Sequence, residues 1–517
     1  MLTGSGPNDP VAIAPMDVFN QQLIQNVHPP NWTNPTPTGR YNLVVIGAGT
    51  AGLVTSAVAA ALGAKVALIE RHLMGGDCLN VGCVPSKGMI RASRAWAAVK
   101  HSRHFGLAGA NDTGADFGAV MERMRKLRAR ISHVDSAHRY TSLGVDVFIG
   151  EGRFAGPRTI TVDDTVLQFS KAVICTGARA AAPSVPGLEQ AGYLTNETVF
   201  SLTQLPPRLA IIGAGPIGCE MAQSFARFGS LVCLIERSTH ILPREDADAA
   251  HIVQTQMEND GVLFAFDATI TGVAVRGQEK VVQYDRNGEH HEFAADEILI
   301  GVGRAPNVDA LALETVGVDY DGLSGVQVNN RLQTTNPTIY AAGDVCFPLK
   351  FTHTADAMAQ IVIQNALFPH PFGLGYAKTD SLIIPWATYT DPELAHVGLS
   401  AADAQKKGIA TDTFTFQLNE VDRAILDGED EGFARIHVKK GTDTIVGATI
   451  VAPHAGDMIS ECTLAMKGGL GLSTISGTIH PYPTQAEVIR KVANVWRKTT
   501  LTENKKQWLR TLFAWTR

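Results

Sequence analysis

Short apolar runs, glycine-rich turns and helical stretches follow one another in the first part of the chain. Residues 41–46 form a mostly apolar run, which indicates a buried strand. A glycine-rich turn follows at residues 47–52, and a helical stretch then continues to Leu62. The next apolar run, residues 65–69, ends at Glu70. This succession predicts a strand–helix–strand unit with parallel strands.

The same succession recurs 166 residues further along the chain. Residues 209–212 predict a strand, residues 213–218 a turn, and the helix that follows extends to Phe228. Residues 231–235 predict the second strand, which ends at Glu236. Because the glycines and the acidic residues coincide at one offset, the chain is predicted to contain two copies of one nucleotide-binding unit.

The three glycines of each turn have different structural roles. The first permits a tight turn, the second lets the backbone approach a pyrophosphate, and the third allows close contact between helix and strand. The pyrophosphate then lies at the helix N-terminus, where free N–H groups and the helix dipole favour negative charge. The predicted cofactor-binding glycines are Gly47, Gly49 and Gly52 in the first copy and Gly213, Gly215 and Gly218 in the second.

An acidic residue follows the second strand of each copy. Glu70 and Glu236 are in position to accept hydrogen bonds from ribose hydroxyls, which suits a dinucleotide without a 2′-phosphate. Arg237 comes directly after Glu236, and arginines near this point can hold a 2′-phosphate. Between NADH and NADPH, the acidic residue favours NADH. The alternative without a binding role is that each glutamate is a solvent-exposed residue at the end of its strand.

Composition narrows the class of protein. The 517 residues suggest about three domains, and 45% apolar with 18% charged residues exclude a disordered chain. The net charge of −6 argues against nucleic acid as a partner. No apolar run reaches the roughly 18 residues of a membrane span, so a cytoplasmic protein is expected. Residues 1–40 are interpreted as an extension with one short helix at 16–24.

Seven cysteines are too few for a disulfide scaffold, and five of them are scattered. The other two lie in Gly75-Gly-Asp-Cys78-Leu-Asn-Val-Gly-Cys83-Val-Pro-Ser-Lys87. Their spacing matches neither a zinc pattern nor the CxxC redox motif. A helix that begins at this loop would place both thiols near its N-terminus, where thiolates are favoured. Asp77 stands beside Cys78, and its charge is expected to oppose a neighbouring thiolate.

Two other segments invite a functional interpretation. His290 and His291 follow an Asn-Gly pair, which predicts a hairpin turn rather than a metal site, and no resident metal is expected. Residues 490–517 carry eight basic residues against one glutamate, a net charge of +7, together with several aromatic residues. The expectation is that this segment packs against its own dimer, with an anionic membrane or a protein partner as alternatives.

The cysteine segment resembles the redox-disulfide signature of the class I pyridine nucleotide-disulfide oxidoreductases. The likeness extends from about residue 41 to about residue 495. Further matching pieces are Cys175-Thr176-Gly177, Gly301-Val-Gly303-Arg304-Ala-Pro-Asn307, Ala341-Ala-Gly343-Asp344 and Thr390-Asp391-Pro392-Glu393. This family includes dihydrolipoyl dehydrogenase, glutathione reductase and mercuric reductase.

The resemblance implies a role for each matching residue. FAD would be held by Gly47, Gly49, Gly52, Glu70, Gly76, Thr176, Gly177, Gly303, Gly343 and Asp344. NADH or NADPH would be held by Gly213, Gly215, Gly218 and Glu236. Cys83 would be the flavin-proximal thiolate and Cys78 the interchange thiol that meets the acceptor. Lys87 would lie near the flavin N5 and pair with Glu220.

The chain departs from the commonest family pattern in its last domain. The disulfide-reducing members have a His-Pro-x-x-x-Glu motif that the partner subunit contributes, with the histidine as acid and base. Alignment of this motif on Glu487 places Tyr482 where the histidine belongs, and His480 lies two residues earlier. On an extended segment His480 could face the same side and substitute. A tyrosine at this place, together with Asp422-Arg423-Ala424-Ile425, resembles the mercuric reductase branch.

The fold class implied is α/β, with two Rossmann-like dinucleotide-binding domains and a C-terminal α+β dimerisation domain. The expected boundaries are an extension at 1–40, the FAD-binding domain at 41–190 and 311–382, the NAD(P)-binding domain at 191–310, the dimerisation domain at 383–500 and a basic aromatic tail at 501–517. The expected assembly is a homodimer whose active site is shared across the interface.

The expected activity is electron transfer from NAD(P)H through FAD to the Cys78–Cys83 disulfide. From there the electrons would pass to a metal ion or a thiol-reactive acceptor, as in mercuric reductase. Dihydrolipoyl dehydrogenase is one alternative, which the cysteine motif permits and Tyr482 disfavours. A redox-sensing flavoprotein with negligible turnover is an alternative of another class.

Overall fold

A computed structural model of the chain describes residues 13–107 and 114–517. The chain divides into two compact units. The first contains the residues up to Gly213 together with Ser224–Ile235 and Ala268–Leu382. The second contains Ala214–Gln223, Glu236–Asp267 and Ile383–Arg517. Of the predicted extension, residues 1–12 lie outside the described part.

The strands are short and distributed along the whole described chain. In the first half they are β1 (Arg40–Ile46), β2 (Val66–Glu70), β3 (Val145–Ile149), β4 (Gly152–Gly156), β5 (Thr159–Val162), β6 (Thr165–Ile174), β7 (Ala178–Ala180), β8 (Arg208–Ile212), β9 (Leu231–Ile235) and β10 (Val262–Ala265). In the second half they are β11 (Ala268–Arg276), β12 (Glu279–Arg286), β13 (Glu289–Ala295), β14 (Glu297–Ile300), β15 (Arg304–Pro306), β16 (Tyr320–Asp321), β17 (Gly325–Val326), β18 (Ile339–Ala341), β19 (Pro385–Thr388), β20 (Glu393–Gly398), β21 (Thr411–Gln417), β22 (Phe433–Lys439) and β23 (Ile445–Ala452).

The helices range from one turn to five turns. In the first half they are α1 (Val18–Val27), α2 (Thr50–Ala61), α3 (Gly76–Asn80), α4 (Cys83–Lys100), α5 (Phe117–Ser132), α6 (Ala137–Ser142), α7 (Leu188–Ala191), α8 (Pro216–Phe228) and α9 (Ala247–Asn259). In the second half they are α10 (Thr352–Leu367), α11 (Ala401–Lys406), α12 (Asp422–Asp427), α13 (Ala455–Lys467), α14 (Leu472–Gly477), α15 (Glu487–Thr499) and α16 (Glu503–Trp515).

The main sheet of the first unit has the strand order β3-β2-β1-β6-β5-β4, and β18 also pairs with β6. Strands β3, β2, β1, β6 and β18 are parallel, whereas β5 and β4 continue the sheet antiparallel. Val44 of β1 lies between Ala67 and Ala172 and is fully buried. Its neighbours Leu43 and Val45 are also fully buried and face the opposite side of the sheet. Apolar residues therefore occupy both faces of β1, as expected for a strand covered on both sides.

A second parallel arrangement in the same unit has β8 between β9 and β14. The first unit also holds the antiparallel sheet β11-β12-β13. Its β12–β13 turn contains Asn287 and Gly288, both with positive φ, so the predicted Asn-Gly hairpin is confirmed. His290 lies in that hairpin with Nδ1 3.1 Å from the carboxylate of Asp285.

The second unit is built on the antiparallel sheet β19-β20-β23-β22-β21. Helices α13 and α15 cover this sheet, and α15 buries Val488, Ile489 and Val492 in the common core. The helix pattern of α15 explains this packing, because residues four positions apart lie on one face.

The elements predicted from the two repeated patterns are confirmed. The first copy is β1, α2 and β2, and the second is β8, α8 and β9. The α/β fold class with two dinucleotide-binding units and a separate antiparallel domain is confirmed as well. The short helix expected at residues 16–24 exists as α1. Within the described residues, no helix is long and apolar enough to cross a membrane.

Candidate active site

The first glycine turn is held by contacts that leave no room for side chains. Gly47 has a φ of +102°, and a Cβ atom there would lie 2.4 Å from the carbonyl oxygen of Cys175. A Cβ atom at Gly52 would lie 1.8 Å from the carbonyl oxygen of Gly47. The turn therefore folds directly back onto the first turn of α2.

The N-terminus of α2 has the features of a pyrophosphate site. Gly49 caps the helix without a side-chain hydrogen bond, and the first turn carries no acidic residue. A Cβ atom at Gly49 would meet only the Cα atom of Gly76, at 3.8 Å. Gly76 itself has a φ of +55°, and a Cβ atom there would lie 2.7 Å from the Cα atom of Gly49. The residues predicted to hold FAD thus form a side-chain-free cradle at a helix dipole, which fits the group.

Glu70 and Glu236 make the same contacts in the two copies. The carboxylate of Glu70 accepts hydrogen bonds from the N–H of Ala48 at 2.7 Å and of His72 at 2.8 Å. Burial raises the pKa of Glu70. The carboxylate of Glu236 accepts from the N–H of Ala214 at 2.7 Å and from that of Ser238 at 3.0 Å. Each acid fixes its glycine turn and keeps further lone pairs for ribose hydroxyls.

The second glycine turn differs from the first in its openness. Gly213 has a φ of +100°, and its N–H donates to the carbonyl of Ile235 at 2.9 Å. A Cβ atom at Gly215 would meet nothing within 4 Å, and Gly218 lies on α8, which begins one residue after Gly215. The turn therefore leaves open space above a helix N-terminus, as a nicotinamide dinucleotide requires.

Two motifs that the resemblance singled out are joined by hydrogen bonds. The hydroxyl of Thr176 donates to the carbonyl of Asn307 at 2.7 Å, and the Asn307 amide donates back to the carbonyl of Thr176 at 2.8 Å. The N–H of Asn307 donates to the carbonyl of Gly177 at 2.9 Å. Gly303 has a φ of +137° and immediately precedes β15, which pairs with β7. These contacts hold Thr176 and Gly177 beside β15.

A half-buried arginine joins the redox segment to Asp344. Arg304 forms an ion pair with the carboxylate of Asp77 and lies 3.5 Å from that of Asp344. Gly343, with a φ of +83°, turns the chain just before Asp344. Burial raises the pKa of Asp344. The guanidinium of Arg304 thus offsets the charge of Asp77, and the expected effect of this carboxylate on a thiolate at Cys78 stays a prediction.

Cys78 and Cys83 lie side by side at the junction of two helices. Cys78 lies on the short helix α3, and Cys83 is the first residue of the five-turn helix α4. A hydrogen bond to Cys83, followed by burial, raises the pKa of the Cys78 thiol. The Sγ atom of Cys83 lies 3.4 Å from the hydroxyl of Thr352, the first residue of α10. The helix N-terminus favours a thiolate on Cys83, with Cys78 as its hydrogen-bond donor.

The backbone around the two thiols is fixed from several sides. The amide of Asn196 donates to the carbonyl of Val81 at 3.2 Å, and Arg128 donates to the carbonyl of Asn80 at 2.6 Å. A Cβ atom at Gly82 would lie 2.7 Å from the carbonyl oxygen of Asp77. The redox loop is therefore preorganised by the surrounding elements of the first unit.

Lys87 and Glu220 lie in separate units. Lys87 follows Cys83 by one helical turn on α4, in the first unit. Glu220 lies on α8 in the second unit, where its carboxylate accepts from the N–H of Tyr389 at 3.0 Å. Their pairing stays a prediction.

The remaining cysteines are unsuited to thiol chemistry. Burial raises the pKa of all five thiols, to about 12 for Cys233 and Cys462. A raised pKa disfavours the reactive thiolate form. Cys78 and Cys83 differ from these cysteines because they lie together at the start of α4 and Cys83 is exposed, so they remain the candidates for thiol chemistry.

The histidine and tyrosine of the last domain point to different partners. The Nε2 atom of His480 lies 2.9 Å from the carboxylate of Glu461, and its Nδ1 atom lies 3.2 Å from the carbonyl of Thr478. Its side chain is only 7% exposed. The ring of His480 is therefore held against the carboxylate of Glu461, and Tyr482 has a different carboxylate partner. Substitution of His480 for the family's histidine stays a prediction.

Tyr482 is 70% exposed, and its hydroxyl donates to the carboxylate of Asp422 at 2.9 Å. This hydrogen bond raises the pKa of Tyr482. Glu487 is buried and pairs with Arg490 at 2.6 Å. A side chain at position 482 therefore has Asp422, rather than Glu487, as its hydrogen-bonded carboxylate.

Several residues of this site carry no local sequence signal. Thr352 contacts Cys83 across 269 positions of sequence, and Arg304 contacts Asp77 across 227. Arg304 belongs to a motif that the resemblance identified, although no role followed from it. Asn196 and Thr352 could not be found from spacing, because only the tertiary fold brings them to the redox loop. Asp422 belongs to a motif that the resemblance identified, although its contact with Tyr482 did not follow from it.

The substitution Gly52→Ala is expected to lower stability by about 2 kcal/mol and to reduce retained flavin, because the new Cβ atom collides with rigid backbone. The measurement is the thermal midpoint together with the flavin content of the purified protein. Gly49→Ala is the matched control for folding, since its Cβ atom makes only an ordinary contact with Gly76. Equal midpoints for the two variants would contradict this account of the turn.

Comparison with known proteins shows the family of the chain. Residues 41–360 match the family described as pyridine nucleotide-disulphide oxidoreductase, and residues 384–493 match its dimerisation domain. Mercuric reductase from Staphylococcus aureus is 34% identical over 464 residues, which cover 89% of this chain and 83% of that protein. Dihydrolipoyl dehydrogenase from Geobacillus stearothermophilus is 32% identical over 461 residues, which cover 87% of this chain and 95% of that protein.

A solved structure is similar over most of its length. The HOCl-induced flavoprotein disulfide reductase RclA from Escherichia coli has a TM-score of 0.78 and 27% sequence identity, covering 88% of this chain and 99% of that chain. A Cu(II) complex of the same reductase has a TM-score of 0.77 and 27% identity, covering 87% of this chain and 99% of that chain.

Proposed function

The chain belongs to the pyridine nucleotide-disulphide oxidoreductase family, and we propose that it passes electrons from NADH to a metal ion or a thiol-reactive acceptor. The observation that carries this proposal is the pair of adjacent thiols, Cys78 and Cys83, at the start of α4. The two glycine turns, each fixed by its own glutamate, supply the nucleotide sites. When bound, FAD supplies the two-electron relay between NADH and the cysteine pair.

The cysteines have separate roles in this proposal. Two electrons and one proton convert the Cys78–Cys83 disulfide into a Cys78 thiol and a Cys83 thiolate. The hydrogen bond from Cys78 to Cys83 and the N-terminus of α4 both stabilise that state. When the acceptor is a disulfide, the sulfur of Cys78 attacks one of its two sulfur atoms and forms a mixed disulfide. The other half of the acceptor leaves as a thiol and takes the proton of Cys78. Attack by Cys83 on Cys78 then restores the cysteine disulfide and releases the second thiol.

A soft metal ion fits the same pair of thiols. The Cys78 thiol loses its proton to water, and the two resulting thiolates coordinate such an ion directly. The phenol oxygen of Tyr482, supplied by the partner subunit in the expected dimer, is a further oxygen ligand. The relatives named mercuric reductase and the Cu(II) complex of the similar flavoprotein reductase support a metal ion as the acceptor class.

Dihydrolipoyl dehydrogenase is the second candidate, supported by relatives of that name at 32% identity. Oxidation of a dithiol requires a base that removes a thiol proton. His480 is engaged by Glu461 and Thr478, and the pKa of Tyr482 is raised above that of an ordinary tyrosine. The position that aligns with the family's histidine therefore carries a poor base, which favours the metal or thiol-reactive acceptor, and His480 beside Glu461 is the residue that could serve the alternative.

Glu236 is expected to make the enzyme prefer NADH over NADPH, because its carboxylate repels a 2′-phosphate. The substitution Glu236→Gln should narrow the ratio of the two kcat/KM values by about tenfold, or 1.4 kcal/mol. Gln keeps one oxygen acceptor, for the N–H of Ala214, and loses the acceptor for the N–H of Ser238. A wild-type enzyme that prefers NADPH by tenfold would contradict this role for Glu236.

The experiment that tests the proposed function is steady-state oxidation of NADH by the FAD-loaded protein with Hg(II), Cu(II), glutathione disulfide and quinones as acceptors. Turnover with the metal ions that requires both Cys78 and Cys83 would support it. Negligible turnover with every acceptor would contradict it and favour a redox-sensing flavoprotein.

A further inference from the structure

Helix α16 of the second unit exposes its apolar side chains to solvent. None of its 13 residues is buried, and Trp508, Phe513 and Trp515 are 64%, 57% and 86% exposed. The preceding helix α15 behaves differently, since it buries Val488, Ile489 and Val492 in the core. A helix that buries nothing has its apolar face available for another surface.

One face of α16 carries two tryptophans and a leucine, and two of its three basic residues lie opposite them. Trp508, Leu512 and Trp515 are four and three positions apart, so they share one face of the helix. Lys506 and Arg510, also four positions apart, lie on roughly the opposite face. Lys505 borders the tryptophan face beside Leu512, and Phe513 lies near Lys506. A face with tryptophan and leucine opposite lysine and arginine is typical of helices that lie in a membrane interface, where long lysine side chains at the border reach the headgroups.

The charge distribution supports an anionic surface as the occupant. Residues 497–517 carry six basic residues and one glutamate, a net charge of +5, whereas residues 1–496 carry a net charge of −11. The single glutamate, Glu503, is paired with Lys506 at 2.7 Å. An anionic bilayer attracts the α16 segment and repels the acidic remainder of the chain, so this segment alone would face the bilayer.

We propose that α16 is a membrane-surface anchor that places its apolar face among the lipids of an anionic bilayer. Tryptophan favours the headgroup level of a bilayer, where its ring is buried and its N–H remains hydrated. The basic face remains at the level of the anionic headgroups. The helix lies on the surface and does not span the bilayer, since its 13 residues are too few to cross the hydrocarbon core.

The test is co-sedimentation of the full-length FAD-loaded protein with phospholipid vesicles at about 0.1 M salt. Vesicles with roughly one-third phosphatidylglycerol in phosphatidylcholine are compared with pure phosphatidylcholine. We expect binding to the anionic vesicles and a shift of tryptophan emission to shorter wavelength. The double variant Trp508→Ser with Trp515→Ser should bind at least tenfold more weakly. The triple variant Lys505→Gln, Lys506→Gln and Arg510→Gln should also lose tenfold or more.

Phe372→Ser is the matched control, because this side chain is 99% exposed in the first unit and its loss should leave vesicle binding unchanged. Failure of the wild-type protein to bind anionic vesicles would overturn the proposal, as would equal binding by the double tryptophan variant. Equal binding to both vesicle types would overturn the choice of an anionic surface. A third outcome is that the wild-type protein does not bind vesicles, while the double tryptophan variant has a lower oligomeric mass in solution. That result would overturn the proposal and show that α16 contacts a second copy of the chain instead.

Discussion

Replacing either redox cysteine is expected to abolish acceptor turnover, with Cys78→Ser and Cys83→Ser each losing about a thousandfold in Hg(II)-dependent NADH oxidation. The reason is that the two thiols act as one unit, joined by a hydrogen bond at the start of α4. Removing one sulfur removes both the disulfide and the bidentate metal site. The measurement is the steady-state rate together with the absorbance spectrum.

The spectrum separates the roles of the two thiols. Two-electron reduction of the wild-type protein should produce a long-wavelength thiolate-to-flavin band. Cys83→Ser should lack this band, whereas Cys78→Ser should show it without reductant. Cys462→Ala is the control, because this thiol on α13 of the second unit is buried and burial raises its pKa to about 12. A band that persists in the Cys83 variant would refute the assignment of Cys83 as the flavin-proximal thiolate.

Position 482 is expected to decide the kind of acceptor. Tyrosine with an ordinary pKa near 10 is only about one part in a thousand phenolate at neutral pH, and the hydrogen bond to Asp422 lowers that fraction further. Tyr482→His should therefore raise turnover of dihydrolipoamide by about a hundredfold, since a positioned base contributes on that scale. The companion variant Tyr482→Phe should lower the Hg(II)-dependent rate by about tenfold, because it removes an oxygen ligand.

The structure identifies a different carboxylate partner for a histidine introduced at position 482. Glu487 is held by Arg490, so Asp422 is the carboxylate available to orient a histidine at position 482. Adding Asp422→Asn to Tyr482→His should remove most of the gain in dithiol turnover. Tyr320→Phe is the matched control, since the Tyr320 hydroxyl also donates to a carboxylate, that of Glu314, in the first unit. An equal loss of metal-dependent rate in this control would show that Tyr482 has no specific role.

The repeated units could be predicted because their signals are local. Apolar runs, glycine spacing and the acidic residue lie within about thirty positions, and β1, α2 and β2 follow from them. The sequence also located the redox loop, although it did not reveal that the loop is divided between α3 and α4. That division depends on Gly82, whose backbone lies against the carbonyl of Asp77.

The contacts that give the site its electrostatics could not be predicted. The ion pair of Asp77 with Arg304 joins the redox loop to β15, and the hydrogen bond of Tyr482 to Asp422 joins two segments 60 positions apart. Charges that meet only through the tertiary fold leave no periodic pattern in sequence. For the same reason the sequence left open whether His480 shares a side with Tyr482, whereas its contact with Glu461 gives it a separate environment.

The most direct test of the account is one comparison of acceptors with the unmodified FAD-loaded enzyme at neutral pH. NADH oxidation with Hg(II) is compared with NAD⁺ reduction by dihydrolipoamide, at equal enzyme concentration. The account predicts measurable Hg(II)-dependent oxidation that disappears in the Cys78 and Cys83 variants, and dihydrolipoamide turnover at least tenfold slower. Fast dihydrolipoamide turnover that is lost in His480→Gln would contradict it, because His480 rather than Tyr482 would then be the acid–base residue of a dihydrolipoyl dehydrogenase.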